Sequence, residues 1–102
     1  MTTLLALYRT PDDPVAFDQY YFQTHVPIAK RVPGLRSYQV TRGPIMALDG
    51  PSEWYLVAML TFDSMHAVQA ALASPEGQAT AADLDNFATG GVQLLLADTA
   101  TI

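Results

Sequence analysis

Histidine is the side chain best suited to moving protons at neutral pH, because its ordinary pKa of about 6.5 leaves both base and conjugate acid accessible. The chain carries two, His25 and His66. His25 closes the aromatic stretch FDQYYFQTH, residues 17–25, and stands two residues before Pro27. On a helical wheel Phe17, Tyr20, Tyr21 and Thr24 share one face with His25 at its margin. A phenol beside an imidazole can donate to oxygen charge developing on a phenolic or enolic substrate while the imidazole takes the proton. Tyrosines on a core-facing helix also pack with their hydroxyls at the surface, and a histidine at a helix end can bond free carbonyls.

Other residues could complete such a site. Asp83 would orient His25 or hold a substrate hydroxyl; otherwise it is a solvated helix acid. Trp54, at a strand start, would floor a pocket or belong to core or interface, and Phe17, Tyr20 and Phe87 would give it aromatic walls. His66 falls in the first turn of a helix and is expected to be exposed.

Several chemistries find no support. Two histidines with scattered carboxylates match no metal-ligand spacing, and haem on His25 has nothing else in the sequence to support it. Neither Gly-x-Ser-x-Gly nor a glycine-rich phosphate loop occurs. With no cysteine there is no thiolate ligand, thiol nucleophile or disulfide, which fits a cytoplasmic location. The net charge is −5, and the five cations Arg9, Lys30, Arg31, Arg36 and Arg42 form no long run, so a nucleic-acid partner is not expected. No stretch approaches the ~18 apolar residues of a membrane span, and no basic region precedes an apolar one at the start. The chain is expected to be soluble, without a cleaved signal.

The elements that must position these residues follow from punctuation and periodicity. Residues 2–9 read as a strand, stopped by Pro11 and Pro14. Asp13-Pro14 reads as the cap and first turn of a helix. Pro27 pushes Val26 out of the helical region and ends or kinks that helix at His25, with a short helical restart over 27–31. Residues 35–43 alternate as a polar strand, 43–52 read as a loop able to reach over a neighbouring site, and 53–62 as a central strand buried on both faces. Ser64 caps a second helix, Ser74-Pro75 ends it and opens a further one to residue 87, and 92–99 form the last strand.

The order β-α-β-β-α-β, with an extra short helix before the last strand, is the ferredoxin-like α+β arrangement in a single domain, residues 1–102. Its two helices cover one sheet face only. Whichever register holds, Leu5, Leu7, Tyr55, Val57 and Met59, or their alternating neighbours, face outward. A patch of that size predicts a two-fold homodimer packed sheet against sheet, a dimeric α+β barrel. Half the residues are apolar and 15% charged, which suits such sharing.

Phe17, Tyr20, Tyr21, His25 and Pro27, then Pro33-Gly34-Leu35 and Tyr38, a Ser64-capped alanine-rich helix, and Asp83 with Phe87 together resemble the EthD family of the dimeric α+β barrel superfamily. The resemblance covers essentially the whole chain. It implies a dimer with a pocket between helices and sheet near His25, Tyr21 and Asp83, and it leaves the reaction open, since cofactor-free monooxygenases, cyclases, isomerases and haem-handling enzymes share the fold. The expected function is an enzyme or accessory protein of oxidative catabolism or secondary metabolism, acting without a tightly held cofactor on an apolar carbonyl-bearing or aromatic molecule. His25 would move the proton, Tyr21 polarise the oxygen and Asp83 fix the imidazole or substrate. The alternative is a non-catalytic module that binds a hydrophobic ligand.

Overall fold

The computed structural model describes residues 1–102 throughout. Strand β1 (Thr2–Arg9) ends ahead of Pro11, and α1 (Pro14–Tyr20) opens with Asp13 accepting from the Ala16 amide at 3.2 Å and Pro14 in the first turn. The helix was expected to end or kink at His25, and it does not end there. It widens into one π turn over Tyr21–His25 and continues as α2 (Val26–Ala29), with Val26 fully helical at φ −57°, ψ −47°. The Val26 amide reaches back to the Tyr21 carbonyl, five residues behind. A π turn spreads the backbone where the proline ring would press on a preceding carbonyl, so Pro27 is accommodated without breaking the helix. His25, four residues after Tyr21, shares its buried face.

After β2 (Ser37–Val40), the expected loop contains a small hairpin, β3 (Met46–Ala47) with β4 (Gly50–Pro51), before β5 (Trp54–Phe62). Ser64 caps α3 (Met65–Ala73), accepting from Ala67, and Ser74 caps α4 (Pro75–Asp83), accepting from Gly77. A single 3-10 turn, Leu84–Asn86, leads to β6 (Val92–Asp98). The main sheet runs β2-β5-β1-β6, antiparallel throughout, which is the ferredoxin-like order with α4 as the additional helix.

One sheet face packs under the helices. Thr2, Ala6 and Tyr8 of β1 alternate inward with Leu56, Ala58, Leu60 and Phe62 of β5, and Val68 and Ala71 of α3 close over them. β5 is therefore buried on one face, not two: its outer residues Val57 and Met59, like Leu5 and Leu7 of β1, are only half-buried in the single chain. Tyr55 also departs from the expected alternation. Tyr8 lies opposite Leu56 and Arg9 opposite Trp54, so Tyr55 is the extra residue of a β-bulge. The bulge brings its ring against Phe17 (5.3 Å) and its hydroxyl onto Asp18 (2.9 Å). Leu94, Leu95 and Leu96 leave the β6 edge 40–49% exposed.

Helix α4 is held close to α3 by Gly77, where an added Cβ would lie 2.1 Å from the Ala71 carbonyl oxygen and 2.8 Å from the Leu72 Cα. Both obstacles are backbone and cannot rotate away. Gly77→Ala should therefore cost about 3 kcal/mol, read as a lowered urea midpoint with unchanged slope.

Candidate functional site

The end of α4 and the π turn meet in a buried polar cluster. His25 and Asp83 are 3% and 6% exposed, and His25 Nδ1 lies 2.9 Å from Asp83 Oδ2. Asp83 Oδ1 accepts from the Tyr20 hydroxyl at 2.6 Å and the Asn86 amide at 2.9 Å. Tyr20 is the last residue of α1 and Asn86 sits on the 3-10 turn, so donors from α1, the π turn and the 3-10 turn converge on one carboxylate. An acid at a helix C-terminus opposes the helix dipole, and only its three donors make this placement tolerable. Phe87 closes the cluster, its ring 4.7 Å from His25 and stacked on Tyr20 at 5.4 Å.

Burial pushes the His25 pKa below its ordinary value, and the opposing pull of Asp83 does not restore it. Burial alone would raise Asp83, but the hydrogen bonds from Tyr20, Asn86 and His25 outweigh it and hold the carboxyl below the usual range. At neutral pH the pair is therefore a carboxylate and a neutral imidazole. Nδ1–H donates to Asp83, which leaves Nε2 with its lone pair free. No polar side-chain atom is sealed without a partner, so Nε2, which has none in the protein, is open to the adjoining pocket.

The sign of the pH dependence follows. The unfolded chain binds a proton at His25 near pH 6.5 that the folded chain resists, so the stabilisation present above 6.5 is lost as pH falls through the lower folded value. Asp83, also depressed, adds a second loss below its ordinary 3.8. Urea midpoints should therefore decline from pH 6.5 downward, and in His25→Gln the upper part of that decline should vanish.

The pocket lies between the helices and the sheet, with a volume of about 60 Å³ and a mainly apolar lining. It holds roughly two waters at ~30 Å³ each, and it meets solvent beside Leu72 and Leu94, which are 40% and 49% exposed. Its polar groups are His25, three tyrosines and Thr80, whose hydroxyl donates to the Glu76 carbonyl at 2.8 Å. Tyr21 and Tyr38 share one hydrogen bond of 2.6 Å between hydroxyls, which leaves one of their two protons for a ligand. Burial raises both their pKa values, with the neighbouring phenols raising Tyr21 further, so both stay protonated donors. Tyr8 lines the same pocket, its pKa raised by burial first and then by Tyr38 and Asp83.

Residues 9–91 match the model of the EthD domain. The chain is 41% identical to an uncharacterised 11.0 kDa protein from the thcB-thcC intergenic region of Rhodococcus erythropolis, over 100% of this chain and 98% of that protein. It belongs to the EthD family. A solved EthD family protein from Bacillus halodurans superposes with a TM-score of 0.90 at 36% identity, covering 98% of this chain and 99% of the other. SnoaB, a cofactor-independent oxygenase from Streptomyces nogalater, superposes with a TM-score of 0.69 at 19% identity over 99% and 94% of the two chains, which shows a shared fold.

In this EthD chain His25, Asp83, Tyr20 and Phe87 come together, with Tyr21 beside them at 5.4 Å from the imidazole. Phe17 stacks behind Tyr21 in the core, and of the expected residues only His25 and Tyr21 line the pocket: Tyr20, Asp83 and Phe87 stand behind the imidazole and Phe17 does not reach it. Trp54 is not there either: it lines a separate groove near Phe22 and Arg42. Tyr8 and Tyr38 were missing from the expected site. The alternation of β1 and β2 puts each on one definite face, but nothing in either strand says which face the helices cover.

Proposed function

We propose that this EthD protein is a small-molecule enzyme doing acid–base chemistry on an apolar carbonyl-bearing or aromatic compound, with His25 as the base. The observation that carries the reading is the His25–Asp83 contact: a buried carboxylate fixes the imidazole as the Nδ1–H tautomer, and the free Nε2 faces an apolar pocket. Nε2 takes an acidic C–H or O–H proton from the substrate. Asp83 offsets the positive charge that then forms on the ring. The hydroxyl proton left over by the Tyr21–Tyr38 pair donates to the developing oxygen anion, so Tyr38 shares the role expected of Tyr21. The SnoaB likeness supports a fold compatible with such chemistry and does not choose the substrate.

A substrate of several rings exceeds about 60 Å³, so binding must part the pocket near Leu72 and Leu94. The same reading includes a homodimer. The half-buried row Leu5, Leu7, Val57 and Met59 is an apolar sheet face that a second copy would cover.

A thermal-shift screen of phenols, quinones, lactones, short ketones and haem tests the pocket, since a ligand at a hundred times its Kd adds about 2.7 kcal/mol. Compounds that bind are then followed by NMR in D2O. A stabilising class whose acidic proton exchanges faster with the protein supports the enzyme. Stabilisation without exchange makes the chain a hydrophobic-ligand-binding module.

A further inference from the structure

A second concavity, with a volume of about 640 Å³, lies outside the cluster just described and shares no lining residue with the His25 pocket. It falls within the roughly 300–1,000 Å³ that small-molecule sites occupy. One wall is α1 and the π turn, with Asp18 and Phe22; the other is the bulged start of β5, with Trp54 and Tyr55. Arg42 and the following residues form the third side, where Gly43 at φ +75° lets the chain turn back sharply after β2.

Its charges are not equivalent. Asp18 already accepts from the Tyr55 hydroxyl at 2.9 Å. Arg42 takes part in none of the protein's ion pairs, whereas Arg36 is paired with Asp63 and Arg9 with Glu53. A free guanidinium in a chain of net charge −5 is a local exception to the repulsion an anion would otherwise meet. Around it the groove offers aromatic surface. Phe22 is 51% exposed and stands edge-on to Tyr21, and the Trp54 ring is covered on one side by the Arg9 guanidinium at 4.6 Å from its centroid.

We infer that this groove binds a compact aromatic carboxylate, its ring against Phe22 and Trp54 and its carboxylate on Arg42. The guanidinium fork matches a carboxylate in a way a lone ammonium does not, and the apolar wall favours a ring over an inorganic anion.

Trp54 is the single tryptophan, so its fluorescence reports this groove directly. Phenylacetate should produce a saturable change in that emission. Phenethyl alcohol, which keeps the ring and loses the charge, should bind about tenfold more weakly, the usual scale for losing a charge-assisted hydrogen bond. Arg42→Gln should weaken phenylacetate by the same factor and leave the alcohol unaffected. Lys30→Gln, which removes an equal charge from the end of α2, should change neither. Absence of a saturable change with phenylacetate overturns the inference, as does equal binding of acid and alcohol, or equal loss in Arg42→Gln and Lys30→Gln.

Discussion

Replacing His25 with alanine should slow proton exchange of a bound substrate by about 10²–10⁴-fold, the usual contribution of a positioned general base. The fold should survive. Asp83 would keep the Tyr20 hydroxyl and the Asn86 amide, two of its three donors, so the carboxylate is not stranded. The cavity left under Phe87 should cost about 2 kcal/mol, visible as a lower urea midpoint with native-like near-UV dichroism. The native rate should climb with pH to a plateau, with an apparent pKa below 6.5, because burial favours the neutral ring. Loss of activity together with loss of tertiary structure would instead mark His25 as a packing residue.

Removing Asp83 should have the larger effect on stability. Asp83→Ala leaves the Tyr20 hydroxyl, the Asn86 amide and His25 Nδ1 without their shared acceptor at the junction of α1, the π turn and α4. Each buried donor left without its acceptor costs about 1–3 kcal/mol, and three together are enough to unfold a marginal domain of this size. Asp83→Asn separates the charge from the packing. An amide there can turn its NH2 toward Nδ1, which moves the ring proton to Nε2 and removes the lone pair from the pocket. Proton exchange should therefore fall nearly as far as in His25→Ala, with a smaller loss of stability than Asp83→Ala. Stability and exchange both unchanged in Asp83→Asn would mean that the carboxylate neither holds the cluster nor sets the tautomer.

Much of this architecture is written in local signals. Asp13-Pro14, Ser64 and Ser74-Pro75 mark helix starts by the same chemistry that the structure displays, with side-chain oxygens on free amides. The apolar content of the strands around the polar β2 fits the observed sheet order, with β2 at an edge. Other features depend on geometry that no short pattern encodes. Val26-Pro27 reads as a helix stop, and the π turn that cancels it costs no distinctive residue. Trp54 and Tyr55 read as alternating strand positions, but the bulge sends Tyr55 to Phe17 and leaves Trp54 in the second groove. His25 and Asp83 carry chemistry by type, yet their meeting depends on how closely α4 docks against α3, which rests on the missing side chain of Gly77. Tyr8 and Tyr38 become site residues only once the helices have chosen a sheet face.

The central claim is that burial keeps His25 neutral while Asp83 holds its proton on Nδ1, which leaves the lone pair of Nε2 for the pocket. Long-range nitrogen–proton NMR correlations of the imidazole read this directly. At neutral pH the spectrum of His25 should show a protonated Nδ1 and an unprotonated Nε2, converting to the imidazolium only below pH 6.5, and the pattern should reverse in Asp83→Asn. A His25 ring that is already an imidazolium at neutral pH, or that carries its proton on Nε2, would contradict the account.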